Sequence, residues 1–164
     1  MSHSLVTYSG SIQPDWVDYN GHLRDAYYLL LFSFGTDGLM DQLGLDAAGR
    51  AETGHSLYTV ECHLNFLREV RHASHVEVHT RILGHDAKRL HVYHSLVHPG
   101  RDGLLAASEQ LLLNVDVSAA RTTGFASGVL HRLQVLFSLQ RSDPRPEHVG
   151  KVIRVPWPVI GGQP

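Results

Sequence analysis

The hydrophobic pattern is densest in the first third of the chain. Between residues 27 and 34 only Ser33 is not strongly apolar, so this segment offers no solvent-facing stripe. A helix that is apolar on every side must be buried on every side. The pattern therefore predicts a central helix over about residues 23–43, ended by Gly44 and enclosed by the rest of the chain. A membrane span would need roughly 20 uninterrupted apolar residues, and three aspartates interrupt this segment, Asp25, Asp37 and Asp41.

From Ser56 onward, apolar and polar residues alternate, which is typical of half-buried strands. Four strands are predicted, over residues 56–66, 75–82, 90–97 and 105–115. One face of the first strand is expected to carry the apolar side chains, Tyr58, Val60, Cys62, Leu64 and Phe66. The joins between the strands are short, whereas parallel strands need crossovers of about a dozen residues. The pattern therefore predicts a four-stranded antiparallel meander, to which residues 5–12 add an N-terminal edge strand.

The remaining segments frame this core. The polar, glycine-bearing residues 46–55 are predicted to form a loop, and residues 127–140 a second helix that is stopped by Pro144 and Pro146. Residues 144–164 are expected to run over the surface as a tail. Together these elements predict an α+β fold in one domain, 1–164, with its core in 1–143. A curved antiparallel sheet wraps the long central helix, and a C-terminal helix follows.

Composition narrows the possible functions. Sixteen acidic residues against fourteen basic ones leave no bulk positive charge, which argues against a nucleic-acid partner. With one cysteine, Cys62, and no signal-peptide pattern, a cytoplasmic protein without a membrane partner is expected. Thirteen histidines are many for this length, but they show no metal-ligand spacing, so no metal site is predicted. Ser127 lacks the spacing of a nucleophile elbow, which argues against a serine hydrolase.

The chemistry that remains lies at the entry to the central helix. The pair Asn20-Gly21 predicts a tight turn with a left-handed residue. Asp18, just before it, could act as a nucleophile or as a general base toward water. The backbone N–H groups of Gly21, His22 and Leu23 are expected to be free of helical partners and could stabilise a developing oxyanion. The alternative is that Asp18 only caps the helix.

Other candidate groups surround this turn. Aromatic faces bind quaternary ammonium groups, and the candidate rings are Trp16, Tyr19, Tyr27 and Tyr58, whereas Tyr28 and Phe32 are assigned to the core. Glu61 is a second candidate carboxylate if its strand face meets a partner subunit. Two basic clusters could hold phosphate groups, Arg68 with Arg71 and Lys88 with Arg89.

The order Asp18-x-x-Gly21-His22, followed by Tyr27, resembles the opening motif of hotdog-fold acyl-CoA thioesterases of the 4-hydroxybenzoyl-CoA thioesterase type. Longer pieces are similar to the betainyl-CoA thioesterase group, which is also found fused to carnitine dehydrogenase. These pieces are WVDYNGH at 16–22, YTVECH at 58–63, KRLH at 88–91 and EQLLL at 109–113. The resemblance covers nearly the whole chain.

The resemblance implies hydrolysis of a small acyl-CoA, such as betainyl-CoA, to the acid and free CoA, with no cofactor. It makes Asp18 the catalytic carboxylate, in a catalytic set with Gly21, His22 and Glu61. The expected acyl-group contacts are Trp16, Tyr19, Asn20, Tyr27 and Tyr58, and the expected CoA contacts are Arg68, Arg71, Lys88 and Arg89. A homodimer or homotetramer is implied, with each site built from two chains. The alternatives are a thioesterase for another short or aromatic acyl-CoA, a non-catalytic acyl-CoA-binding hotdog protein and, ranked last, a hotdog dehydratase, which would need a catalytic histidine in a different sequence setting.

Overall fold

The computed structural model describes residues 5–154, so the predicted tail beyond 154 lies outside the described residues. In chain order the strands are β1 Leu5–Ser11, β2 His55–Phe66, β3 His75–His85, β4 Arg89–Val97, β5 Leu104–Asp116 and β6 Arg121–Thr122. The helices are α1 Asp25–Leu43, α2 Ala47–Thr53 and α3 Ser127–Gln140, with a short 3₁₀ turn at Pro14–Trp16. The predicted central helix, second helix and strands are all present.

The strands form one antiparallel sheet in the order β1-β3-β4-β5-β2, with β6 paired to β5. The predicted meander is right for β3, β4 and β5, and β1 adds beside β3 as expected. It is wrong for β2, which pairs with β5 at the opposite edge. Residues 67–74 connect β2 to β3 and cross the end of the sheet. Within this connection the carbonyl of Val70 accepts a hydrogen bond from the N–H of Leu23 (2.7 Å). A short connection therefore does not guarantee that two strands are neighbours.

A β-bulge in β2 changes which side chains share a face. The register with β5 shifts between Thr59 and Glu61, leaving Val60 as the extra residue. Tyr58 lies opposite Leu113, whereas Cys62 lies opposite Gln110, so these two residues point to opposite faces. The predicted apolar face of this strand is therefore wrong, because strict alternation holds only up to the bulge.

Helix α1 lies against the sheet at very close range. A β-carbon on Gly38 would overlap the carbonyl oxygen of Thr7 in β1, and one on Gly35 would press on Val78 in β3. The helix is not buried on every side, as its composition had suggested. An exposed stripe runs along it at four-residue spacing, formed by Leu29, Ser33, Asp37 and Asp41.

Two other sequence predictions have clear outcomes. The loop predicted at 46–55 contains helix α2, because the Asp46 carboxylate accepts from the N–H of Gly49 (2.8 Å) and Gly54 ends the helix with φ 69°. Helix α3 has the predicted bounds. Within residues 5–154, no helix combines the length and the hydropathy needed to cross a bilayer.

Candidate active site

The segment before α1 forms a tight hairpin around Asp18. The Asp18 N–H donates to the carbonyl of His22 (2.8 Å), and the Gly21 N–H donates to the carbonyl of Asp18 (3.0 Å). Gly21 has φ 77°, the left-handed conformation that such three-residue hairpin loops require at their last position. The predicted Asn-Gly turn is confirmed, and the half-buried Asp18 begins it.

Backbone donors hold one oxygen of the Asp18 carboxylate. Oδ1 accepts from the N–H groups of Asn20 (2.8 Å) and His22 (3.0 Å). The bond from His22 is the main reason that the pKa of Asp18 lies below its usual value; the bond from Asn20 and the charges of His22 and Arg24 act in the same direction. No group within residues 5–154 hydrogen-bonds Oδ2. Asp18 is thus an ionised carboxylate with one oxygen available for chemistry.

Two expectations about this turn are wrong. Asp18 does not cap α1, whose N-cap is Arg24; its carboxylate instead braces its own turn. The N–H groups expected to form an oxyanion site are also occupied. Those of Gly21 and His22 donate to Asp18, and that of Leu23 donates to Val70. The helix begins two residues later than predicted, so these groups belong to the hairpin and not to an open helix end.

His22 faces a carboxylate that the sequence analysis did not single out. Its Nε2 lies 3.3 Å from Oε2 of Glu69, close enough for an ion pair. The same nitrogen is buried and has no aligned hydrogen bond. The backbone of His22 also bridges to Arg71. His22 is therefore held at the junction of the Asp18 turn and the β2–β3 connection.

The predicted aromatic group is only partly assembled within one chain. Trp16 stacks on Tyr27 with ring centroids 5.9 Å apart and planes 19° apart. Tyr19 points into solvent with 95% of its surface exposed, and Tyr58 lies on β2, away from the turn. Tyr28 is a buried core residue, as expected, and donates to the carbonyl of Arg68 (3.3 Å).

The two predicted basic clusters lie at opposite ends of β3. Arg68 and Arg71 line a cavity of about 340 Å³ next to the Asp18 turn. Lys88 and Arg89 follow the far end of the strand, where Arg89 pairs with Asp86 at 2.6 Å. The N–H groups of Lys88 and Arg89, together with that ion pair, lower the pKa of Asp86 to about 2. Within one chain only the first cluster lies at the same end of the sheet as Asp18.

Glu61 is also separated from Asp18 within one chain. It lies on the sheet face opposite α1 and lines a cavity of about 460 Å³ with His63, His91 and Glu109. Nε2 of His91 is hydrogen-bonded to Oε1 of Glu109 (2.8 Å), and Glu109 also accepts from the N–H of Gly150 (2.6 Å). Within residues 5–154, no three histidine, cysteine, aspartate or glutamate side chains are placed to hold a metal ion.

Sequence reasoning missed two residues beside the site, Glu69 and Arg101. Arg101 lines the same cavity as Arg68 and Arg71, although it lies in the β4–β5 turn, about thirty positions further along the chain. No local signal could have identified it, because the two connections meet only when β2 crosses to the far edge of the sheet.

Comparisons with known proteins agree with this geometry. Residues 12–149 match the family model described as the thioesterase-like superfamily. The chain is 53% identical over 156 residues to a betainyl-CoA thioesterase of Pseudomonas aeruginosa, covering 95% of this chain and 98% of that protein. It is 39% identical over 153 residues to an Agrobacterium fabrum L-carnitine dehydrogenase/betainyl-CoA thioesterase, covering 93% of this chain and 31% of that protein.

Solved structures confirm the predicted hotdog fold. A candidate thioesterase from Pseudomonas putida KT2440 superimposes with a TM-score of 0.84 at 50% identity, covering 94% of this chain and 98% of that one. A Staphylococcus aureus protein solved in complex with CoA gives a TM-score of 0.85, covering 95% and 98% of the two chains. Its identity is 23%, so it supports the fold alone.

Proposed function

Because the chain belongs to the thioesterase-like superfamily, we propose that it is an acyl-CoA thioesterase that hydrolyses betainyl-CoA to betaine and free CoA. The observation that carries this proposal is the Asp18 turn. It presents an ionised carboxylate with one oxygen braced by two N–H groups and the other unbonded within the described residues.

The unbonded Oδ2 supports either of two balanced routes. As a nucleophile, it attacks the thioester carbon, and the C–S bond breaks to release the CoA thiolate. Water then cleaves the mixed anhydride, which releases the acid and restores Asp18. As a general base, Oδ2 takes a proton from water, whose oxygen attacks the same carbon and expels the thiolate. In both routes the thiolate is protonated by solvent, and no cofactor takes part.

The betainyl group is supported by the Pseudomonas aeruginosa relative, which is a betainyl-CoA thioesterase. The stacked pair of Trp16 and Tyr27 leaves no space for an ammonium between the rings, so a trimethylammonium would contact an outer ring face. One such contact gives about 0.5 to 2 kcal/mol. This corresponds to a preference of roughly 2- to 30-fold over a neutral group of the same shape.

A second copy of the chain is part of the proposal. Strand β2 ends the sheet, and it carries three large side chains that are about half exposed, Tyr58, Val60 and Phe66. A long apolar edge strand is a template for pairing, and self-pairing about a two-fold axis would cover it. Such a homodimer, or a tetramer built from it, would bring Glu61 and Tyr58 of one copy toward the Asp18 turn of the other. A cytoplasmic location fits this reaction and stays a prediction.

The test measures thiol release from betainyl-CoA with the wild type, Asp18→Asn and the control Asp15→Asn. Asp18→Asn should fold normally and lose at least about 100-fold in turnover, because an amide is neither a base nor a nucleophile. Asp15 is exposed in the preceding turn and should be replaceable. Near-normal turnover in Asp18→Asn would reject the role of Asp18.

A parallel assay identifies the acyl group. The neutral isostere 3,3-dimethylbutyryl-CoA should show lower kcat/KM than betainyl-CoA. A preference for the neutral ester would point to another short-chain acyl-CoA. Absence of hydrolysis with both esters, combined with measurable CoA binding, would indicate a non-catalytic acyl-CoA-binding protein.

A further inference from the structure

Three arginines from two distant parts of the chain line one cavity beside the catalytic turn. Arg68 and Arg71 come from the β2–β3 connection, and Arg101 comes from the β4–β5 turn. The cavity measures about 340 Å³ and is also lined by Glu69 and Asp102. Three guanidinium groups against two carboxylates leave a surplus of positive charge.

The position of Arg68 depends on a glycine in the opposite connection. Its Nη1 donates to the carbonyl of Asp102 (3.1 Å), and its guanidinium lies against Gly103. Gly103 has φ 98°, and a β-carbon there would meet all three terminal atoms of that guanidinium. The Arg68 side chain therefore packs against the β4–β5 turn, and this turn uses only part of the N–H donors of its guanidinium.

Arg71 and Arg101 have no carboxylate partner within residues 5–154. Glu69 is directed at His22, 3.3 Å away, and not at an arginine. A guanidinium offers five N–H donors in a planar fork that matches phosphate oxygens. Unpaired guanidiniums grouped around one cavity thus favour an anionic ligand with several acceptor oxygens.

The wall of this cavity is also the support of the catalytic turn. The His72 N–H donates to the carbonyl of Gly21 (3.1 Å), and the Leu23 N–H donates to that of Val70 (2.7 Å). A thioester whose acyl carbon lies at Asp18 can therefore extend its leaving group toward the arginines. The leaving group of an acyl-CoA carries a pyrophosphate and a 3′-phosphate.

We infer that Arg101, together with Arg68 and Arg71, binds the phosphates of the CoA nucleotide and so selects CoA thioesters over thioesters of simpler thiols. The inference rests on the proposed function for its ligand, but it does not depend on turnover. The shared ligand chemistry is phosphate. Which phosphate is bound is decided by comparing CoA with 3′-dephospho-CoA.

The experiment is calorimetric titration of the full chain with CoA, 3′-dephospho-CoA and pantetheine. The proteins are the wild type, Arg101→Ala, Arg101→Lys and the control Arg141→Ala, whose guanidinium lines a different cavity under the end of α3. Arg101→Ala should raise the Kd for CoA at least about 10-fold, the loss expected for one charge-assisted contact. Arg101→Lys should recover part of that affinity, and Arg141→Ala should leave it unchanged.

Binding of pantetheine should be the same in all four proteins. If Arg101→Ala weakens CoA but not 3′-dephospho-CoA, the contact is to the 3′-phosphate; if it weakens both, the contact is to the pyrophosphate. Both results support the inference. An unchanged Kd for CoA, or an equal loss with pantetheine, would overturn it. CoA is the product whichever acyl group is hydrolysed, so these titrations test the inference even if betainyl-CoA is not the substrate.

Discussion

The most quantitative prediction concerns His94, a fully buried histidine between α1 and the sheet. Four side chains form a chain of hydrogen bonds across this layer: Thr7 to Thr80 (2.6 Å), Thr80 to Nδ1 of His94 (2.8 Å), and Nε2 of His94 to Thr36 (3.1 Å). The Thr36 hydroxyl donates onward to the carbonyl of Phe32 (3.2 Å). The Thr7 hydroxyl also donates to the carbonyl of Val78 (3.3 Å), and a neutral ring, with one N–H donor and one acceptor nitrogen, fits between the Thr80 and Thr36 hydroxyls in either tautomer.

Burial lowers the pKa of His94 from 6.5 to about 3. The folded chain therefore keeps this ring neutral in a pH range where the unfolded chain protonates it. Because the unfolded state binds more protons below pH 6.5, the free energy of unfolding falls as the pH falls, and this loss continues down to about pH 3. The slope is about 1.4 kcal/mol per pH unit. Between about pH 7.5 and 4.5 the loss from His94 alone is roughly 2–3 kcal/mol.

The variant His94→Leu removes this titration and leaves both neighbouring hydroxyls with a partner, Thr80 with Thr7 and Thr36 with Phe32. Urea unfolding of the wild type and the variant should be compared at about pH 7.5 and pH 4.5. The stability of the variant relative to the wild type should rise by roughly 2–3 kcal/mol as the pH is lowered from 7.5 to 4.5. The control His131→Gln, on the exposed face of α3, should show almost no such change. A pH-independent difference for His94→Leu would refute the buried, neutral ring.

Two further predictions test the packing of α1 and the edge of the sheet. Gly38→Ala should destabilise the protein by about 1–3 kcal/mol or more in urea unfolding, because the methyl group would overlap the Thr7 backbone. Gly128→Ala in α3, where a β-carbon fits, should instead be neutral or stabilising by up to about 1 kcal/mol; equal effects would contradict the close contact. Val60→Lys should shift light scattering toward the monomer mass with an unchanged circular dichroism spectrum, because a charge on an edge strand opposes pairing. Val135→Lys, equally exposed on α3, should keep the wild-type mass, and a Val60→Lys protein that also keeps it would argue against pairing through β2.

Local patterns were sufficient to predict most helices and strands and the Asp18 turn. Each of these predictions used only a short segment of the chain. The signals were the apolar run of α1, the alternation in β3 to β5 and the prolines after α3. The same holds for the Asp18 turn, since Gly21 and the Asp18 carboxylate make their hydrogen bonds within five positions. Such a turn can be predicted without knowledge of the fold because the donor and the acceptor of each hydrogen bond lie in one short segment.

Only the tertiary structure decided how these pieces meet. Two features of β2 cannot be predicted from hydrophobic periodicity. One is the bulge at Val60, and the other is the crossing of residues 67–74, which places the strand at the far edge of the sheet. That crossing brings Arg68 and Arg71 to Arg101, whereas the length of β3 keeps them apart from Lys88 and Arg89 at the other end of the sheet. His94 resembled the other strand histidines in sequence, yet it is buried, and its two partner hydroxyls come from two other elements, Thr80 in β3 and Thr36 in α1. The pairing of distant segments depends on the shape and register of the whole sheet, and a one-residue shift reverses every side chain that follows it.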